Sequence, residues 1–322
     1  MPNSAARGFP ASRVGRVHEP IPATGRQFEI ASGPARAVIT EVGAALRAFE
    51  VGGVPHVETY DADQLPPGGA GAVLVPWPNR VADGQWVLDG EPQQLPLTEP
   101  ARRNAIHGLL RHTAWSVVEH AESTVVLQAM VAAQPGWPVP LLTSVGYSVG
   151  PDGLTVTHTM ENLGSRPTPF GLGVHPYPRA GAAGTDDCSL RLSASTLLPV
   201  DADRMVPVRP PRALQGDELD FRSGRPLAGL LLDTAFGGAA PAPGDELVRH
   251  AVTGPDGHGV QLWADPVFKW VQVYTPEDFP GRGRAIAIEP MTCPPNALNT
   301  GTDLLTLQPG ETWIAHWGLT PF

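Results

Sequence analysis

The sequence predicts an all-β protein, a sandwich or barrel of many short strands. Three observations lead there. Short runs of alternating apolar and polar residues follow one another with turn residues between them. The 37 prolines and 36 glycines are spread along the 322 residues, which means many turns. No long stretch keeps the 3.6-residue period of an amphipathic helix.

In chain order, residues 1 to about 26 are rich in Pro, Ala, Ser and Arg without periodicity and read as a loose leader. Strands are expected at Phe28–Ala31, Ala35–Val42, Ala45–Val51, Gly71–Val75 and Gln85–Leu88, with a turn between Val54 and Val57. Trp115–His120 and Thr124–Val131 form a hairpin around Ala121–Ser123. In Leu154–Glu161, Leu154, Val156, His158 and Met160 share one face, so His158 is a core histidine. Later strands are Cys188–Ala194, Leu230–Phe236, Glu246–Thr253, Val260–Ala264, Trp270–Tyr274 and Glu311–Leu319. No internal repeat or interdomain linker is visible, so residues 27–322 are expected to fold as one domain, although length alone would allow two.

Hydrophobic residues at 42% supply a sizeable core. A net charge of −10 argues against nucleic-acid or anionic-membrane partners. Cys188 and Cys293 are too few for a disulfide framework or a metal cluster. No apolar run reaches the ~20 residues of a membrane helix, and the start lacks a signal peptide's apolar core. A cytoplasmic protein, monomer or homodimer, is the expectation.

Two stretches carry the chemistry. In Ala285–Gly301, AIAIEPMTCPPNALNTG, the strand face of Ala285, Ala287 and Glu289 has almost no bulk until it ends in a carboxylate braced by Pro290. In Phe170–Pro178, FGLGVHPYP, Gly171, Gly173 and His175 form a second bare face that ends in an imidazole, again followed by proline. Both faces read as a floor under a bound molecule, since glycine persists in strands where a ligand or another backbone approaches. Glu289 alone is either a base or a rim residue paired with an arginine.

Other candidates follow. Asn79 and Arg80 come after a Pro-Trp-Pro turn, which makes Arg80 either a pre-set ligand-binding group or half of a structural ion pair. His107 precedes Gly108 in RRNAIHGLL, and Asp233 interrupts the apolar run of GLLLDTAF, where burial would demand a partner. Trp77, Tyr177 and Phe236 lie beside these groups and could stack on a sugar or fill the core.

PWPNR, NAIHGLL, GLGVHPYP, LDTAF and IEPMTCPPNALNTG, in this order over roughly Phe28–Leu319, resemble the aldose 1-epimerase (mutarotase) family. The resemblance implies a galactose-mutarotase-like β-supersandwich, mostly antiparallel, with its site in a concave face. It implies Glu289 as general base, His175 as general acid, and Arg80, His107 and Asp233 as substrate-binding residues, with Asn79, Trp77 and Tyr177 beside them. The chain departs from the best-known galactose mutarotases, which carry an Asn-His-x-Tyr-Phe pattern where Val174-His175-Pro176-Tyr177 stands here, and it looks like a divergent branch.

Opening an aldose ring removes a proton from the anomeric hydroxyl and delivers one to the ring oxygen, so an ionised Glu289 and a protonated His175, on opposite sides of the anomeric centre, would serve. No metal or cofactor is expected: there is no Gly-rich phosphate loop and no His-x-x-x-His pair. A glycoside hydrolase would need a second carboxylate, Asp233, close to Glu289. A non-catalytic sugar-binding protein would not need the acid–base pair. A hexose 6-phosphate is the other substrate class, with Arg102, Arg103 and Arg111 either binding the phosphate or forming a solvated basic loop.

Overall fold

The computed structural model describes residues 20–322, and most of the expected leader lies outside them. Its last residues are tied down: Thr24 is buried and donates its hydroxyl to the Ala62 carbonyl, and Arg26 pairs with Glu41.

Every strand pairing is antiparallel, as in a β-supersandwich. A four-stranded sheet opens the chain with Gln27–Ser32, Ala35–Thr40, Leu46–Val51 and Val54–Pro55. The largest sheet has nine strands, in the order Ser116–His120, Thr124–Val131, Leu141–Gly150, Gly153–Asn162, Thr312–Pro321, Gly259–Ala264, Val248–Thr253, Ser189–Arg191 and Arg225–Pro226. A seven-stranded sheet carries the site, in the order Arg212–Ala213, Thr196–Leu197, Asp233–Gly237, Trp270–Tyr274, Ala287–Met291, Gly173–Val174 and Val73–Leu74. The α-helix Ala297–Thr300 is a single turn. No helix among the described residues is long and apolar enough to cross a membrane.

Period-2 alternation builds the core. On Leu141–Gly150 the residues Leu141, Thr143, Val145, Tyr147 and Val149 are buried, and they face Leu154, Val156, His158 and Met160 from the neighbouring strand. His158 is a core group, as its alternation predicts: its Nε2 accepts the Trp317 indole N–H at 3.0 Å, and burial pulls its pKa down to about 3. In the seven-stranded sheet, Phe236, Val271, Val273 and Ile288 point into this same core. Their neighbours Asp233, Gln272, Tyr274 and Glu289 therefore share the opposite, concave face.

Four sequence expectations change. Leu141–Gly150 is a full strand that the pattern did not announce, because its outer face, Leu142, Ser144, Gly146, Ser148 and Gly150, carries no charged residue to mark the alternation. Phe170–Pro178 is not one strand but two short pieces, Thr168–Phe170 and Gly173–Val174. Between them the Gly171 N–H donates to the Pro76 carbonyl at 2.7 Å and the Leu172 N–H to the Thr292 hydroxyl at 3.0 Å, so neither joins a ladder. Leu230–Leu232 lie outside the strand Asp233–Gly237, and Leu231 is exposed. Finally, Trp77 and Phe236 are core residues: Trp77 packs on Trp137 with ring centroids 5.9 Å apart, and Phe236 packs edge-on against Phe221.

The two bare faces are also not floors beneath a ligand. Ala285 and Ala287 are covered by Tyr60, Ala70, Tyr177 and Phe279. A Cβ on Gly173 would come within 2.7 Å of Pro78 Cβ, and one on Gly171 would collide with Cys293 Sγ. Small residues stand there because other parts of the chain pack against them.

Candidate active site

Strand register brings the two ionisable ends together. Gly173 pairs with Met291, so two residues further on His175 lies beside Glu289. His175 Nε2 is 3.3 Å from Glu289 Oε1, with the two side chains only 3% and 2% exposed. On the other side, Gln272 pairs with Glu289 and Tyr274 with Asp233.

A second element supplies the rest. Arg80–Ala82 pairs with Asn104–Ile106, Arg80 opposite Ile106, which sets Arg80 and His107 side by side. Asn79 and His107 both adopt left-handed φ, 53° and 63°, at the ends of this small ladder. The Asn79 side-chain oxygen accepts the Arg80 N–H at 2.9 Å, and its carbonyl accepts the His107 N–H at 2.9 Å. Gly108 follows with φ 71°, pressed so closely on the Val75 carbonyl that no Cβ fits.

These residues line a cavity of about 390 Å³, a size typical of small-molecule sites, with Asn79, Arg80, His107, His175, Asp233 and Glu289 all on its wall. A larger recess of about 800 Å³ lies elsewhere, between Val54, Ala180, Pro255 and Phe322; it is mostly apolar and holds none of these groups. Tyr177 does not reach the sugar-sized cavity as a stacking wall. It lies behind His175, with its ring nearly parallel (13°) and centroids 5.3 Å apart, and it buttresses the imidazole.

Arg80 is both an ion-pair partner and a wall residue. Its guanidinium forks onto Glu99 at 2.9 and 3.0 Å and reaches Asp233 at 3.5 Å. Gln272 donates to the other Asp233 oxygen at 2.6 Å, and Asn104 donates to Glu99 at 3.0 Å. Glu99, Gln272 and Tyr274 were missed in the sequence. Gln272 and Tyr274 alternate with valines in WVQVY, a signal of a polar face. Glu99 carries no local signal, because its role comes only from the distant Arg80.

Burial, with the Asp233 charge adding to it and Arg80 opposing, holds the Glu289 carboxyl well above the usual range. Burial lowers His175 to about 3, and the Arg111 charge adds to the lowering. His107 is likewise held neutral by burial, then by His175, Arg111 and Arg80. Both shifts favour the neutral forms, a carboxyl over a carboxylate at Glu289 and an imidazole over an imidazolium at His175. The second Glu289 oxygen and the Nδ1 atoms of His107 and His175 are buried without a partner among the described residues, free for an incoming polar ligand. His107, His175 and Glu289 also bring one donor atom each within 4.8 Å of one another, a set that a divalent ion could use.

Comparison with known proteins decides the lineage. The aldose 1-epimerase family profile matches residues 26–320. The chain belongs to the aldose 1-epimerase family. It is 33% identical over 306 residues to the uncharacterized protein YihR of Escherichia coli K12, covering 94% of both chains. It is 26% identical over 159 residues to rat galactose mutarotase, covering 47% of this chain and 45% of that one. In structure it is similar to a galactose mutarotase-like protein from Clostridium acetobutylicum, with TM-score 0.81 and 20% identity over 91% of this chain and 94% of that one. It is also similar to the GalM/aldose epimerase homologue of C. elegans, with TM-score 0.80 and 20% identity over 92% of this chain and 98% of that one. These likenesses place the chain in a divergent branch of the aldose-epimerase fold, and the family is consistent with sugar isomerisation.

Proposed function

We propose that the protein is an aldose 1-epimerase that interconverts the α and β anomers of a hexose, with Glu289 and His175 as its proton-transfer pair. The observation that carries this reading is the direct 3.3 Å contact between a buried carboxyl and a buried imidazole in a polar, sugar-sized cavity.

Ring opening needs proton transfer at two oxygens bonded to the same carbon. Adjacent groups suit that geometry better than groups on opposite sides of the sugar. Burial favours a protonated Glu289 beside a neutral His175, a pair that holds one titratable proton between them. Moving it across their contact gives carboxylate and imidazolium with no change in net charge and no exchange with solvent. In that form Glu289 takes the anomeric proton while His175 protonates the ring oxygen. The products of the step, a neutral carboxyl and a neutral imidazole, are the forms that burial favours, which helps the opening. The aldehyde then turns, and the same two transfers run backward to close the ring on either face. Each positioned transfer contributes ~10²–10⁴-fold. Arg80, His107 and Asn79 offer donors near the reacting oxygens, and Asp233 and Gln272 offer acceptors to hydroxyls further round the ring.

The hydrolase reading has less support, because Asp233 is engaged by Arg80 and Gln272 while the direct polar partner of Glu289 is His175. Polarimetry of freshly dissolved α-glucose and α-galactose tests the proposal. Faster relaxation with wild type and not with Glu289→Gln is expected. Binding of these sugars with no acceleration would make the protein a lectin instead.

A further inference from the structure

Arg80 stands between two carboxylates and closes on only one of them. Its Nε donates to Glu99 Oε2 at 2.9 Å and its Nη2 to Glu99 Oε1 at 3.0 Å. Asp233 Oδ2 lies 3.5 Å from the same Nη2, at the long limit of a hydrogen bond. Nη1 makes no hydrogen bond among the described residues. A guanidinium carries its five N–H donors in one rigid plane, so fixing the Nε–Nη2 edge also fixes where the two Nη1 donors point. Arg80 and Glu99 both line the cavity, with side chains only 10% and 20% exposed.

Glu99 is itself held. Its N–H donates to the Asn104 carbonyl at 3.0 Å and the Asn104 N–H returns to the Glu99 carbonyl at 3.2 Å, closing a tight turn around Pro100–Arg102. Asn104 is fully buried, and its Nδ2 donates to Glu99 Oε2 at 3.0 Å and to the Arg204 carbonyl at 2.8 Å. Arg102 Nε lies 3.5 Å from the other Glu99 oxygen. The carboxylate therefore has little freedom, and Arg80 takes its geometry from it. Without Glu99, Asp233 is the other carboxylate within reach of Arg80. Closing that pair would withdraw donors of Arg80 and an oxygen of Asp233 from the sugar site together.

We propose that Glu99 is a positioning residue of the active site, which holds Arg80 off Asp233 and aims the free Nη1 edge at the sugar. This rests on the epimerase reading above. Glu99 acts through Arg80, so its effect should vanish once residue 80 can no longer fork. Lysine at that position keeps the charge but has no planar edge for a carboxylate to grip.

The test is a double-mutant cycle read by NMR anomer exchange of an active aldose, with affinity for the same sugar titrated alongside. Its arms are wild type, Glu99→Gln and Glu99→Asp, each also in the Arg80→Lys background, after circular dichroism has shown that they fold. A misplacement of about 1 Å at a reacting site can cost ~10²-fold. Glu99→Gln is expected to lower kcat/KM by ~10–100-fold, with part of the loss in KM, which a smaller fraction of folded enzyme would leave unchanged. In the Arg80→Lys background the same change should cost about threefold or less. Glu99→Asp, which keeps the charge one methylene shorter, should recover part of the loss; where Glu99→Gln does not fold, its loss confined to the Arg80 background makes the same comparison. Near-normal activity in Glu99→Gln, or an equal loss in both backgrounds, overturns this proposal while the epimerase reading stands. If no aldose is exchanged faster by wild type than by Glu289→Gln, the epimerase reading falls and takes this one with it.

Discussion

The charge state of the Glu289–His175 pair makes a sharp prediction about pH. In the proposed mechanism the active species is the pair holding one proton, in either arrangement, shared across the 3.3 Å contact. Were both groups at ordinary values, near 4.5 and 6.5, that species would exist over a window only about two units wide. Activity would then fall about fourfold from its plateau by pH 4, as the pair gained a second proton, and about tenfold by pH 7.5, as it lost the first. Burial moves the acid limit outward. His175 takes the second proton only near pH 3, so at pH 4 about nine-tenths of the pair remains singly protonated. Glu289 is held well above its usual value, so its proton persists to higher pH than that of a solvated carboxyl. The expected profile of kcat/KM stays close to its plateau at pH 4, where ordinary groups would already show a fourfold loss. The assay is polarimetry or NMR exchange of an active aldose in constant-ionic-strength buffers, with circular dichroism at each pH to separate chemistry from unfolding. A fourfold loss by pH 4 with the fold intact would show that the pair takes up its second proton as if solvated, and the shared-proton mechanism would be wrong.

Three further outcomes are expected. Glu289→Gln and His175→Asn should each lower the exchange rate by ~10²-fold or more with little change in melting temperature, and near-normal turnover in either folded variant removes that residue from the chemistry. Gly173→Leu and Ala287→Leu should each lose ~1–3 kcal/mol of stability, because Pro78 and the Tyr60–Tyr177–Phe279 cluster already occupy that space; native melting behaviour with lost sugar binding would restore a ligand floor there. The fully buried His158 and His250, both lowered to about 3, contribute stability that is complete above pH 6.5 and is lost as pH falls toward 3. Urea titrations from pH 7 to 4 should show this, with a shallower pH slope in His250→Gln; an unchanged slope would mean His250 is already charged in the native state.

Much of the chain was legible because strands write their burial into alternation. The hairpin Ser116–His120 and Thr124–Val131 and the strand Trp270–Tyr274 stand where the pattern placed them. The five motifs place Asn79, Arg80, His107, His175, Asp233 and Glu289 on one cavity wall. The reasoning from bare faces reached Glu289 and His175 by a route the fold does not support. Alternation shows that a face is small but not what covers it, and here the cover is Pro78 and an aromatic cluster rather than a ligand.

The sequence by itself therefore determined the class of fold and the identity of the ionisable groups at the strand ends, since both are local properties of residue type and period. Tertiary structure alone decided their partners and their charges. Glu99 is matched to Arg80 across 19 positions, Gln272 to Asp233 across 39, and Glu289 to His175 only through the register of Gly173 on Met291. Tyr177 became a support behind the imidazole, Trp77 a core residue, and Arg111 a cavity-wall cation without a partner among the described residues. A charge state depends on desolvation and on neighbours brought near by folding, and a linear pattern of residues contains neither.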